Sequence, residues 1–192
     1  MKAIMISIQP KLVSKILNKE KLVEIRKTNP KCELPCKVYI YCTKGKKLYK
    51  CVSNFDEDLL NGKVVAEFSL NKIYTLERDL NDWLPKNRYD ISNELLKNIN
   101  LNQNELWNYG QGKILYAWYI DNLKIYGKPK ELSEFSGFIP DNKCEKHENG
   151  FACEKCDSYD KEHETCLALY YAHREIKRPP QSYCYVEELE NE

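Results

Sequence analysis

Three charged residues stand close enough along the chain to act on one ligand. Residues 22–26 predict a β-strand, and the alternation of apolar and charged residues from Val23 to Arg26 puts Glu24 and Arg26 on the same face. A carboxylate and a guanidinium at this spacing hold each other in place and present a bidentate donor to a phosphate group or a base edge. Lys21 adds a mobile positive charge at the entrance of the strand. The alternative is an ion pair on the surface, which contributes little to stability.

A second group of residues has the spacing of a metal site. Cys153 and Cys156 are separated by two residues, and a tight turn at that spacing lets two thiolates share one tetrahedral ion. The surrounding segment is polar and acidic and cannot build a core of its own, so a structural zinc ion would supply the folding energy it lacks. Four free thiols in a loop are the alternative. The predicted ligands are Cys144, Cys153, Cys156 and Cys166, with His147 or His163 as replacements for one of them.

The other cysteines and two aromatic residues each allow two interpretations. The five cysteines outside the predicted zinc site are expected to be small buried side chains. The alternative is a second metal site formed by the first four of these five, but no closely spaced pair among them supports it. Trp107 and Tyr109 either pack in the core or stack on a base at the mouth of a cleft. These five cysteines are Cys32, Cys36, Cys42, Cys51 and Cys184.

Positive charge is concentrated at the start of the chain. The net charge is only +1, but residues 1–50 hold 13 lysines and arginines against three acids, whereas residues 51–192 hold 17 against 26. A basic region of this kind attracts polyanions, of which nucleic acid is the commonest in a cytoplasm. The alternative is that these lysines only keep a surface in solution.

Composition excludes two classes of protein. With 42% hydrophobic residues, the chain can form a packed core and is not disordered throughout. No apolar run approaches the ~20 residues that span a bilayer, and the first residues lack the cleavage site of a signal peptide. We therefore expect a cytoplasmic protein without membrane contact, whose nine cysteines are reduced thiols or metal ligands.

The elements that must hold these residues follow from the apolar pattern. Pro10 opens a helix, and residues 90–109 are predicted to be helical, with Asn102 or Asn104 capping the second part. About six strands with one or two helices predict an α+β fold built as a mixed β-barrel. The predicted strands span 2–8, 22–26, 38–42, 63–70 with a continuation to 74, 114–126 and 182–186.

The chain resembles the ASCH domain family along most of its length. The segments ISIQPK (6–11) and KLVEIRK (21–27) are similar to that family's opening, in which a strand ends near a proline and a helix and a turn lead to a strand with Glu-x-Arg. Segments 130–135 and 178–183 resemble a subset found in phages and prophages of low-GC Gram-positive bacteria. Asn18 or Lys19 stands where the family has a turn glycine, and Leu22 stands where threonine is frequent. The resemblance covers residues 2–139 and 177–189.

The resemblance implies a PUA-like mixed β-barrel with flanking helices, whose cleft binds RNA or a modified nucleotide. The domain would then span residues 1–192, with the Cys-rich, zinc-binding insertion at 140–176. We interpret the chain as a binding module rather than an enzyme. The residues expected at the cleft are Lys21, Glu24 and Arg26, with electrostatic attraction from Lys11, Lys15 and Lys27.

Other functions stay open beside this interpretation. One branch of the family hydrolyses the acetyl group of 4-acetylcytidine with a lysine that matches Lys21 and a threonine nucleophile whose position is occupied by Glu24. Other members have been linked to RNA cleavage. An enzyme of either kind would use Lys21 and Glu24, although a carboxylate does not replace an activated hydroxyl in amide hydrolysis. A third function is an adaptor that binds a host protein through the acidic insertion and tail.

Overall fold

Strands make up most of the regular structure in the computed structural model, which describes residues 1–45, 61–80, 87–137, 159–160, 165–166, 174–176 and 178–189. None of the described helices is long and apolar enough to cross a membrane. In chain order the elements are β1 (Lys2–Ile8), α1 (Pro10–Leu17), β2 (Val23–Arg26), β3 (Cys36–Cys42), β4 (Val64–Leu70), β5 (Ile73–Leu76), α2 (Asn93–Ile99), α3 (Gln103–Gly110), β6 (Leu115–Tyr119), β7 (Asp121–Lys130), β8 (Ser136–Gly137), β9 (Tyr159–Asp160), β10 (Thr165–Cys166), β11 (Arg174–Glu175) and β12 (Tyr183–Glu187).

Two sheets carry the fold. The larger is a mixed seven-stranded sheet with the order β11-β8-β12-β1-β3-β4-β7, in which β1 and β3 run parallel and β12 and β4 flank them antiparallel. The smaller is an antiparallel sheet with the order β2-β6-β5, and β9 pairs with β10 separately. Strand-rich sheets with few helices confirm the predicted α+β class.

Both faces of β1 are buried, because its alternate side chains enter two different cores. Ile4 and Ile6 point into a core that also contains Trp118 of β6, so this core joins the two sheets. Ala3 and Met5 point into a second core on the opposite face. A strand buried on both faces does not alternate apolar with polar residues, which explains the continuous apolar run at the start of the chain.

A third core fixes the orientation of β2. Val23 and Ile25 pack with Ile99 of α2 and Leu106 of α3. Since successive side chains of a strand point to opposite faces, Glu24 is directed away from this core, as the sequence predicted. The two short helices therefore decide which way the charged residues of β2 face.

Two predicted strands are each divided between the sheets. The strand predicted over 114–126 breaks at Ile120, where the chain leaves β6 and enters β7, and Asn122 has a left-handed φ of 50°. In the same way β4 ends at Leu70, and β5 begins at Ile73 in the other sheet. The prediction was wrong because the β-type composition continues through the change of sheet without a glycine or proline to mark it.

The turn after α1 keeps its shape without a glycine. The left-handed position is Lys19, with φ 59°, whereas Asn18 has φ −84°. Of the two residues that the sequence left open for this turn position, Asn18 and Lys19, it is Lys19 that adopts the left-handed conformation. Backbone hydrogen bonds from Lys19 to Ile16 O and from Glu20 to Lys15 O close the turn.

Replacing Asn102 by alanine will lower the free energy of unfolding by about 1 kcal/mol. The Asn102 side chain accepts a hydrogen bond from the Glu105 backbone, and the Glu105 carboxylate accepts one from the Asn102 backbone, each over 2.9 Å. Asn104 lies exposed inside α3 and is the matched control, with a change of about 0.5 kcal/mol or less expected. Urea unfolding of the two variants measures the difference, and equal losses would contradict this account of the cap.

Candidate functional site

Lys21, Glu24 and Arg26 are buried side by side. Their exposed fractions are 2%, 6% and 7%. Lys21 Nζ lies 3.6 Å from Glu24 Oε2, and Arg26 Nε lies 3.4 Å from Glu24 Oε1, so one carboxylate stands between two cations. The burial rules out the surface ion pair that the sequence left as an alternative.

Backbone carbonyl groups from distant parts of the chain hold the two cations. The Lys21 ammonium donates a hydrogen bond of 2.9 Å to the carbonyl oxygen of Ile99, the last residue of α2, where carbonyls lack helical partners. Arg26 Nη2 donates to Ser7 O over 3.0 Å, and Nη1 donates to Ser182 O over 3.4 Å. Arg26 therefore ties β2 to the end of β1 and to the segment before β12. The sequence predicted that Glu24 holds the guanidinium for a ligand, and the structure adds that two backbone carbonyls also accept hydrogen bonds from it.

Burial changes the electrostatics of the group. Desolvation lowers the pKa of the Lys21 ammonium, and the neighbouring carboxylate of Glu24 opposes that shift. The positive charges of Lys15 and Arg26 lower the pKa further. Lys21 thus releases its proton more readily than an exposed lysine does.

Polar atoms without hydrogen-bond partners are concentrated here. Within the described part of the chain, five buried side-chain atoms make no hydrogen bond, and three of them are Ser7 Oγ, Glu24 Oε2 and Arg26 Nε. Folded proteins leave few such atoms, because each costs about 1–3 kcal/mol. All three residues also line one cleft, so a ligand in that cleft can provide the missing partners.

The cleft has a volume of about 710 Å³, which is within the range of small-molecule sites. Its polar lining consists of Ser7, Gln9, Lys21, Glu24, Arg26, Thr43 and Gln181. The rest is apolar or aromatic, and Tyr109 of α3 stands at its surface with 37% of its area exposed. The apolar and aromatic lining includes Ile8, Leu12, Leu101, Tyr109, Pro179 and Pro180.

The three lysines predicted to attract a polyanion adjoin the cleft without lining it. Lys27 Nζ lies 4.7 Å from the ring centroid of Tyr109. Lys15 Nζ donates a 2.5 Å hydrogen bond to Asn100 Oδ1, next to Leu101 of the lining. Lys11 is exposed on α1, immediately before Leu12. Their positive charges therefore lie beside residues of the lining and not in the lining itself.

Sequence reasoning missed part of this lining. Ser7 was not singled out, although it is the one hydroxyl in the otherwise apolar strand β1. Tyr109 was left between core packing and ligand stacking, and the structure places it on the cleft. Its neighbour Trp107 packs instead against Tyr89, with ring centroids 5.8 Å apart. Pro179 and Pro180 reach the cleft from the far end of the chain, and no local pattern indicates that.

The predicted zinc site stays a prediction. Cys144, Cys153 and Cys156 lie outside the described residues, as do His147 and His163. Cys166 belongs to β10. In the parts of the chain that are described, no group of three or more histidine, cysteine, aspartate or glutamate residues is placed to hold a metal ion.

Comparisons with known proteins bear on the fold. No family model and no curated protein matches the chain. The crystal structure of ASCH from Zymomonas mobilis matches with a TM-score of 0.53 and 15% sequence identity, over 97% of this chain and 88% of that one. A Tyr-to-Phe variant of the same protein matches with a TM-score of 0.51 and 16% identity, over 98% and 92% of the two chains. The described chain therefore has the α+β fold of that ASCH protein along nearly its whole length.

Proposed function

We propose that the chain binds RNA or a modified nucleotide and takes one base into the cleft of Lys21, Glu24 and Arg26. The observation that carries the proposal is that Glu24 Oε2 and Arg26 Nε are buried and make no hydrogen bond, although each lies within ion-pair distance of a charged neighbour. One is an acceptor and the other a donor, and both belong to residues that line the cleft. A base edge presents donors and acceptors side by side, so its amino group suits the carboxylate and its ring nitrogen or carbonyl suits the guanidinium.

The remainder of the cleft supports a flat aromatic ligand. Tyr109 offers an aromatic face, and Leu12 and Leu101 offer apolar contact. Stacking of a base on an aromatic side chain contributes about 1–3 kcal/mol and tolerates any base. An unstacked, single-stranded base is the form of RNA that can enter such a site.

The lysines beside the cleft, here called its basic rim, account for attraction to the phosphate backbone of the RNA. If Lys11, Lys15 and Lys27 each neutralise one phosphate, reversing all three to glutamate will reduce the slope of log affinity against log salt by about 2, at about 0.7 per contact for a single strand. Affinity will fall alike for every sequence, because phosphate contacts position the strand without reading it. Fluorescence anisotropy with labelled single-stranded RNAs over a salt series measures both effects.

A matched triple variant makes this test specific. Lys113, Lys124 and Lys128 are exposed lysines that do not line the cleft. Reversing them changes the net charge by the same amount, and the slope should stay close to that of the parent. Equal losses in the two triple variants would mean that overall charge, and not the rim of the cleft, attracts RNA.

A hydrolase acting on a modified nucleoside is the second candidate, and Ser7 is the observation that favours it. Its buried hydroxyl has no hydrogen-bond partner and lines the same cleft as Lys21, whose pKa is lowered by desolvation. A hydroxyl with a nearby base is the arrangement that amide hydrolysis requires. Incubation with 4-acetylcytidine and with short RNAs tests this candidate. If the parent protein converts one of these substrates and both Ser7→Ala and Lys21→Ala abolish the turnover, the hydrolase becomes the first candidate. If the substrates stay intact, the binding module remains the proposed function.

We also propose that the segment 140–176 holds a structural zinc ion through Cys144, Cys153, Cys156 and Cys166. Protein purified without chelators should contain about one zinc ion per chain, as expected for a four-coordinate thiolate site. Cys153→Ser and Cys156→Ser should lose the ion. Cys184→Ser is the matched control and should keep it, because this residue lies on β12 outside the segment. Metal analysis that finds no zinc in the parent protein would contradict the proposal.

A further inference from the structure

Two thiols face each other where the segment between β2 and β3 leads into β3. Cys32 Sγ and Cys36 Sγ are 2.9 Å apart. This separation is longer than a covalent S–S bond of about 2.05 Å, and both cysteines are free. The sulfur atoms therefore need to move by only about an ångström to bond to each other. The sequence predicted small buried side chains at these positions, and this pairing was not foreseen.

The pair opens onto a second cleft, which shares no residue with the first. This second cleft has a volume of about 870 Å³, and both cysteines line it. Lys2, Lys31 and Lys37 contribute three positive charges to its lining, against Glu33 and Glu188. Lys37 Nζ lies 2.8 Å from Glu188 Oε1, so these two charges cancel, and Lys2 and Lys31 against Glu33 leave the lining side chains with a net charge of +1. The cleft is therefore suited to an anionic ligand beside two thiols.

We propose that Cys32 and Cys36 form a reversible dithiol–disulfide site whose oxidant is an anionic low-molecular-weight disulfide of the glutathione type. In the first step the Cys32 thiolate attacks one sulfur of that disulfide, and one thiolate of the small molecule leaves and takes up a proton. In the second step the Cys36 thiolate attacks Cys32 Sγ and releases the second small thiol. Two protein thiols are oxidised to one disulfide, and one small disulfide is reduced to two thiols.

Exposure assigns the order of the two steps. Cys32 is half-buried, whereas only 8% of Cys36 is exposed, so an incoming disulfide reaches Cys32 first. Burial and the neighbouring Cys32 raise the pKa of the Cys36 thiol, and the charge of Lys2 opposes that shift. Cys36 is therefore the poorer first nucleophile and the resolving thiol.

The chain contains its own reporter for this reaction. Cleavage by trypsin after Lys31 and Lys37 releases the peptide Cys32–Lys37, which contains both thiols and no other cysteine. In buffers set by reduced and oxidised glutathione, we expect this peptide to lose the mass of two hydrogen atoms under oxidising conditions. Dithiothreitol should restore that mass. Mass spectrometry after acid quenching and alkylation makes the measurement: the disulfide peptide carries no alkyl group and is two hydrogen atoms lighter than the unmodified dithiol, whereas the dithiol peptide carries two alkyl groups.

Two single variants separate the roles of the thiols. Cys36→Ser should accumulate a glutathione adduct on Cys32, because the resolving thiol is missing. Cys32→Ser should leave Cys36 without an adduct. Cys42 and Cys184 are internal controls: burial raises their pKa to about 12 and to about 11, so both thiols should stay unmodified at neutral pH. A peptide that remains a dithiol in oxidised glutathione, or adducts of equal yield in the two variants, would overturn the proposal.

Cystamine tests the anionic character of the partner. Cystamine is a cationic disulfide with the same reactive bond. For each of the two disulfides, the rate of reaction with the protein is divided by the rate of reaction with a small free thiol, which corrects for its intrinsic reactivity. The net positive charge of the lining predicts that the ratio is higher for oxidised glutathione than for cystamine. A higher ratio for cystamine would overturn the assignment of an anionic partner.

Discussion

Replacing Glu24 by alanine will lower the free energy of unfolding by about 3–5 kcal/mol. Among the described residues, Glu24 is the one acid within ion-pair distance of either Lys21 or Arg26. Its removal leaves two buried positive charges without a counter-charge, and burial prevents water from taking the place of the carboxylate. Urea unfolding measures the loss. Glu188→Ala is the control, because its partly exposed pair with Lys37 should contribute only about 0–1 kcal/mol.

The free energy of unfolding of Glu24→Ala should increase as the pH rises. Lys21 has a lowered pKa in the folded chain, and the loss of Glu24 removes the interaction that raises it. The unfolded chain then binds the proton more tightly than the folded chain, so stability increases with pH between the lowered pKa and the ordinary value of 10.5. If Glu24→Ala loses less than about 1 kcal/mol of unfolding free energy at neutral pH, the three charges are solvated and independent of one another, which would contradict this account.

Replacing Arg26 by lysine will weaken RNA binding by about 1–3 kcal/mol, although the charge is retained. The guanidinium donates to Ser7 O and Ser182 O, while its Nε, 3.4 Å from Glu24 Oε1, makes no hydrogen bond. A single ammonium nitrogen cannot span the two carbonyls and also reach a base. Equilibrium binding of one labelled RNA to the parent and the variant measures the loss.

Arg88→Lys is the matched control for this experiment. Arg88 also forms an ion pair, 3.4 Å from Asp79, but it does not line the cleft. Its replacement should leave RNA affinity unchanged. If Arg26→Lys binds as tightly as Arg88→Lys, the guanidinium serves only the backbone.

Local features of the fold could be predicted from the sequence because neighbouring residues decide them. Pro10 begins α1, and Asn102 caps α3, since both depend on the backbone of adjacent residues. The common face of Glu24 and Arg26 follows from the two-residue period of a strand. These features place the charged residues of β2 correctly without knowledge of the rest of the chain.

The partners of those residues could not be predicted, because they lie far away in sequence. Lys21 bonds to Ile99, 78 residues later, and Arg26 bonds to Ser182, 156 residues later. The cleft exists only where these segments meet, so its volume and the position of Tyr109 depend on the packing of whole elements. Breaks within apolar runs, such as Ile120, escape prediction for a related reason: burial in either sheet favours the same residue types.

RNA binding by Glu24→Gln, compared with Glu67→Gln, tests the central claim most directly. Glutamine keeps the shape of Glu24 but replaces one acceptor oxygen by a donor, which opposes the amino group of a base. Glu67 is a matched carboxylate: it accepts a hydrogen bond from Tyr126 and pairs with Lys124, away from the cleft. Thermal unfolding first confirms that both variants are folded at the assay temperature. We predict that single-stranded RNA binds Glu67→Gln as it binds the parent and that Glu24→Gln loses most of its affinity. Equal affinity in the two variants would contradict the claim that the cleft of Lys21, Glu24 and Arg26 receives the base.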